Sequence, residues 1–235
     1  QNVIYLRTGI FRGNQFIQCK KVFSFSWLHS CVVEISLTYI FTHSKHKNMR
    51  LLGTIIIAVM MAEPTQAQMK INGVTLPATI KAGETLCALN GGGIRKKLFF
   101  KLYVGGLYLA EKSSDANAIV NADKAMAVKL EITSGMISSE NMSEAINEGF
   151  EASTGGNIAP LKAEIEEFVN TFKKSEIVEG NVFDIIYVPG KGVESYKNGT
   201  LQGTIAGMDF KKALFGIWLG SKPADDDLKA AMLGK

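Results

Sequence analysis

Histidine is scarce in this chain: there are three, His29, His43 and His46, and the remainder of the 235 residues has none. Their absence downstream excludes a Ser-His-Asp triad, a Cys-His pair and His-ligated zinc from everything after residue 46. Cysteine is as sparse. Of Cys19, Cys31 and Cys87, only the last lies beyond residue 49, so that part can form neither an internal disulfide nor a CxxC pair. A long hydrophobic run is also lacking. The run Leu51 to Met61 covers 11 residues, well short of the ~20 that a helix needs to cross a bilayer. Charge of one sign is missing too, once the chain is divided. The whole sequence has 26 Lys and Arg against 22 Asp and Glu, but from Gln68 onward the balance is 19 against 20. The basic excess lies upstream, and the downstream net charge argues for neither nucleic acid nor an anionic surface as partner.

The division itself is written in residues 49 to 67. Met49 and Arg50 precede the apolar run, and Pro64 and the small-x-small step Thr65-Gln66-Ala67 come after it. Basic start, apolar core and small-residue site are the grammar of a cleaved export signal. The expectation is a signal peptide over 49-67, cut after Ala67, and a periplasmic or secreted product with no stable membrane span. An uncleaved anchor or a buried helix are the alternatives. Residues 1-48 begin with Gln and carry aromatic and apolar residues without helical or strand period. They read as translated upstream sequence or a wrongly placed start, the alternative being a disordered extension, for which they are unusually apolar.

Residues 68-235 read as one domain without repeats. About 168 residues are enough to bury a core without disulfides. Met126, Val128, Leu130 and Ile132 alternate with Ala127, Lys129 and Glu131, the pattern of a strand with one buried face. Ile94 to Leu109 is aromatic and β-branched and reads as strand, with Gly105-Gly106 as a bulge or close backbone approach. Asn181 to Val188 is a further strand, and Asn198-Gly199 between strand-like flanks predicts a hairpin turn. Met142, Ile146 and Phe150 come after Ser138, which can cap a helix. Leu161 to Phe172 carries a second apolar stripe, with Pro160 at its start. Phe210 to Trp218 is a third helix, with Asp209 as its cap and Gly220 at its end. Asp225-Asp226-Asp227 opens a fourth, which stops at Gly234. Strands then two helices, twice over, predict an α+β layer pair: a large antiparallel sheet covered on one face by a layer of helices.

Asn90-Gly91-Gly92-Gly93-Ile94-Arg95 is the most unusual stretch. A phosphate loop must run from a strand into a helix, and these glycines run into a strand. The expectation is a tight turn between strands, with Arg95 just after it. A guanidinium there is a fixed cationic fork suited to a carboxylate, phenolate or enolate oxygen. Tyr103 and Tyr108 read as sheet-packing aromatics or ligand contacts, Trp218 as core, and Glu164, Glu166 and Glu167 as a solvated helix face.

The run from Gly91 to Leu109, together with Phe210-Lys211-Lys212-Ala213-Leu214-Phe215-Gly216-Ile217-Trp218-Leu219-Gly220 and the Pro223 beyond it, resembles the chalcone isomerase superfamily, in its bacterial chalcone-isomerase-like form. The resemblance spans about Ile71 to Gly234. It implies an open-faced β-sandwich with a cleft between sheet and helices. In plant enzymes of this kind the cleft closes a chalcone to a flavanone, and an Arg matching Arg95 guides the phenolate and stabilises the enolate. In fatty-acid-binding members that Arg meets the carboxylate of an acyl chain. The resemblance further points to Tyr103, where plant enzymes carry a Thr, to Asn147 as a cleft Asn, and to Thr200 as an active-site Thr. The plant Tyr that succeeds a Thr-Gly step has no counterpart in Thr133 to Ser138. The resemblance therefore implies a binder of a small amphipathic ligand, a fatty acid or a phenolic enone, with no cofactor and no metal. An isomerase (an intramolecular lyase) and a non-catalytic interaction module are the alternatives.

Overall fold

The computed structural model describes residues 68–235. The expected signal peptide over 49-67 and the expected upstream extension over 1-48 fall outside the described residues. The described part opens with a small hairpin of β1 (Met69–Ile71) and β2 (Val74–Leu76). Its turn is Asn72-Gly73, both at positive φ, 49° and 87°, the conformation that lets a two-residue turn match the strand twist. Then come β3 (Thr79–Ala82), β4 (Thr85–Lys97), β5 (Phe100–Leu109), α1 (Ala116–Asn121), β6 (Met126–Ile132), α2 (Ser139–Thr154), α3 (Lys162–Lys173), β7 (Val182–Val188), β8 (Gly192–Lys197), β9 (Thr200–Ile205), α4 (Met208–Leu219) and α5 (Asp226–Met232). Strands β3 to β9 form one antiparallel sheet in sequence order. The chain is α+β, as the pattern of elements predicts.

Strand alternation sorts residues to two faces. Met126, Val128, Leu130 and Ile132 of β6 join the main core, packed with Phe150, Phe168, Phe172 and Phe210 of the helices. Edge-to-face and tilted ring contacts link these aromatics, with centroids 5.2–6.2 Å apart. On the opposite face Val104, Tyr108, Ala127 and Ile186 form a smaller core, closed by Val74 and Leu76 of the first hairpin. Tyr108 therefore packs on the sheet face away from the helices.

Helix boundaries are set by local chemistry. Ser138 caps α2 by accepting from the Asn141 amide at 3.2 Å, and Asn198-Gly199 makes its turn at φ 49° and 77°. Two expectations are corrected. Asp209 lies inside the first turn of α4, whose N-cap is Gly207. The helix α1, capped by Asp115, is not expected from the sequence: its six residues bury one side chain, Ile119, too little apolar stripe to see.

The glycine triplet is the larger correction. Gly91, Gly92 and Gly93 are not a turn but lie inside β4, whose hairpin turn to β5 is Leu98-Phe99. None of the three has positive φ. Their missing side chains make room instead. A Cβ on Gly91 would stand 2.1 Å from the Ala231 carbonyl oxygen, and one on Gly93 2.8 Å from Ala231 Cβ. Gly105 opposite likewise admits Met232, at 2.8 Å. The glycines are a flat bed for α5. Asn90, at a β-bulge, anchors it: its side-chain amide donates to the carbonyls of Met232 at 2.8 Å and Ser113 at 2.9 Å.

Candidate functional site

Period-two alternation along β4 carries the helix-facing side from Gly91 through Gly93 to Arg95. Arg95 pairs across the ladder with Tyr103 of β5, just before a second bulge. Both side chains therefore enter the space between sheet and helices. There lies a cleft of about 570 Å³, lined by Arg95, Leu102, Tyr103, Ile146, Phe172 and Trp218 among others. The volume falls within the about 300–1,000 Å³ of small-molecule sites.

Arg95 is held from behind. Its Nη1 donates to the Lys96 carbonyl at 2.6 Å and reaches Asp225 Oδ2 at 3.4 Å. The two side chains are 20% and 10% exposed. Asp225 also caps α5, accepting from the Leu228 amide, and takes the Lys96 amide, each at 2.9 Å. Burial alone would raise the Asp225 carboxyl, but the amides of Leu228 and Lys96 and the Arg95 charge outweigh it and hold it below its ordinary range. One carboxylate thus fixes the end of α5 and the foot of the guanidinium. The well-formed side-chain hydrogen bonds that Arg95 donates among the described residues use Nη1; the guanidinium also lies beside the Tyr103 hydroxyl and borders the cleft.

Tyr103 is the second polar group. Its hydroxyl accepts from Trp218 Nε1 at 3.0 Å. Burial pushes its pKa up, against the lowering pull of Trp218 and Arg95. The hydroxyl stays protonated at neutral pH, and its own proton finds no acceptor among the described residues. Arg95 and Tyr103 together offer positive charge and a hydroxyl proton to an otherwise largely apolar wall.

The structure places the four expected site residues unequally. Arg95 and Tyr103 line the cleft; Asn147 and Thr200 do not. On α2 the apolar stripe Met142, Ile146 and Phe150 faces the core, which turns Asn147 to solvent and leaves Asn141 as the asparagine on the lining. Thr200 is exposed at the start of β9, the far edge strand, beside the Asn198-Gly199 turn. Two site residues, Trp218 and Asp225, are not legible as such in the sequence. Trp218 is both core and lining, and Asp225 carries only the signal of a helix cap.

The profile of the chalcone isomerase-like family matches residues 68–234, and the chain belongs to that family. Among solved structures, a fatty-acid binding protein of Arabidopsis thaliana matches with a TM-score of 0.57 and 18% identity, over 71% of this chain and 96% of that one. At that identity the likeness is one of fold. No curated protein sequence matches.

Proposed function

We propose that this member of the chalcone isomerase-like family is an exported carrier that holds a fatty acid or similar amphipathic carboxylate in the cleft, head group at Arg95 and chain along the apolar lining. The observation that carries the reading is the convergence of the Arg95 guanidinium and the Tyr103 hydroxyl at one place in an otherwise largely apolar cleft. A carboxylate accepts from both, and each charge-assisted bond contributes about 1.5–3 kcal/mol. The Arabidopsis relative is a fatty-acid binder by name, which supports the ligand class.

An intramolecular lyase acting on a chalcone-like enone is a second reading, favoured by the same Tyr103 hydroxyl, which could donate to a developing enolate beside Arg95. Mass spectrometry of ligands extracted from the purified protein separates the two. Co-purified fatty acid supports the carrier. An empty protein that cyclises a 2′-hydroxychalcone at ordinary enzymatic rates, ~1 to 1000 per second, supports the lyase and ends the carrier reading. Export itself is tested by N-terminal sequencing of the exported form, which should begin at or within a residue or two of Gln68.

A further inference from the structure

We propose that the tip of the β4–β5 hairpin, Leu98-Phe99-Phe100, docks this protein on an anionic lipid bilayer. The three side chains are 84%, 98% and 49% exposed. Leu98 and Phe100 also border the cleft, but Phe99 lines no cavity and nothing in the fold requires it to be apolar. The other two-residue hairpin turns among the described residues, Asn72-Gly73, Gly83-Glu84 and Asn198-Gly199, put only glycine or asparagine at positive φ, where the cost is small. Here Leu98 takes φ 56°, an unfavourable place for a leucine. A hairpin that accepts strain and exposes Leu and Phe, where a glycine-led turn such as Gly83-Glu84 would serve, has its apolarity for another purpose.

Charge identifies the partner. Lys96, Lys97 and Lys101 flank the tip and are all exposed. Lys96 faces Asp227 at 3.7 Å, and Lys101 donates to Asn72 at 3.0 Å; both are surface contacts that exchange readily. The near-neutral balance of residues 68–235 conceals this local cluster. An apolar wedge ringed by lysines matches an interface where rings sink among acyl chains and ammonium groups meet anionic headgroups. A folded protein partner fits less well, because a two-residue turn offers far less than the about 800 Å² per side of a stable interface.

The tip also belongs to the cleft. Lys97, Leu98 and Phe100 line it together with exposed Met136. Docking by the tip would set the rim of the cleft against lipid, so that a ligand could pass between bilayer and cleft; that consequence rests on the carrier reading, the docking does not.

The test must read position 99 itself, because the apolar run Leu51 to Met61 of the full chain could also contact lipid. Phe99→Trp is made in the full chain and mixed with phosphatidylcholine vesicles containing phosphatidylglycerol and brominated acyl chains. The native chain, with its two tryptophans, is the reference. The expected result is added fluorescence that the bromine quenches, lost on pure phosphatidylcholine and weakened by salt. Replacing each of Lys96, Lys97 and Lys101 by Gln should cost about fivefold in vesicle affinity, and Leu98→Ser about tenfold. Vesicles bound without quenching at position 99, or not bound at all, overturn the proposal. So does self-association in lipid-free solution that Leu98→Ser abolishes, which would make a second copy the partner. Quenching by a protein that binds no added fatty acid in titration sinks the carrier reading and leaves the docking intact.

Discussion

Two of the cations in or beside the core, Lys211 and Arg95, are treated in opposite ways. Lys211, on α4, is fully buried. Its ammonium donates to the carbonyls of Ile119 at 3.1 Å, Val120 at 2.7 Å and Ala122 at 2.8 Å, the C-terminal end of α1. The rings of Tyr187 and Phe215 stand over it, at 5.3 and 5.9 Å. All three donors are used, on the negative pole of a helix. Arg95 is partly exposed, rests one nitrogen on Asp225 and the Lys96 carbonyl, and borders the cleft. A buried charge whose donors are all consumed holds the fold; one that borders a cavity is open to a partner.

The contrast breaks most visibly at Lys211. Lys211→Met strands three carbonyls and releases the end of α1, and should cost about 3–5 kcal/mol in urea unfolding. Ligand affinity of the folded fraction should be unchanged.

A smaller effect sharpens the same side of the comparison. Burial lowers the Lys211 pKa to about 8, with Asp123 opposing the shift. Below pH 8 the ammonium is charged in both folded and unfolded states. From about 8 to 10 the unfolded chain holds a proton that the folded chain releases, so stability rises with pH. The carbonyls and ring faces resist the release, and the rise stays below the about 3 kcal/mol that the whole shift would carry. Above pH 10 Tyr187 works the other way. Burial and Asp123 raise it to about 12, so it keeps a proton that the unfolded chain has lost, and stability falls. Urea unfolding from pH 7 to 10 should show the rise in the native protein and not in Lys211→Met.

Tyr103→Phe should give the smallest change. It removes the hydroxyl that both accepts from Trp218 and faces the cleft. About 1 kcal/mol should be lost from stability and about as much from fatty-acid binding, read by unfolding and by isothermal titration. Loss of stability alone would make Tyr103 a support for Trp218.

Elements governed by local rules are legible in the sequence. The alternation of β6, the Ser138 cap and the Asn198-Gly199 turn are all decided within a few residues. The glycine triplet is not, since its cause is α5, more than a hundred residues away in the chain. Glycine signals a turn through its torsions, but at Gly91 to Gly93 only its size matters. Arg95 is legible as a cation beside apolar strand residues, yet its protein partner is hidden in the Asp225 signal of a helix cap. Asn147 and Thr200 are placed by resemblance alone, and a shift around a helix or to an edge strand is enough to take a side chain out of a cleft. The lysines around Leu98-Phe99 are adjacent in the sequence, but a net charge summed over residues 68–235 averages them away, and only the folded hairpin shows that they flank an exposed apolar tip.

The central claim is that Arg95 serves a ligand rather than the fold, and Arg95→Ala tests it when melting temperature and fatty-acid affinity are measured on the same preparation. Asp225 keeps its two amide partners in that variant, so melting should change little. Affinity should fall by roughly 1.5–3 kcal/mol, the loss of a hydrogen bond to a charged group. A variant that melts far earlier yet binds fatty acid as well as the native protein would contradict the account: Arg95 would then be the partner of Asp225 alone, as structural as Lys211.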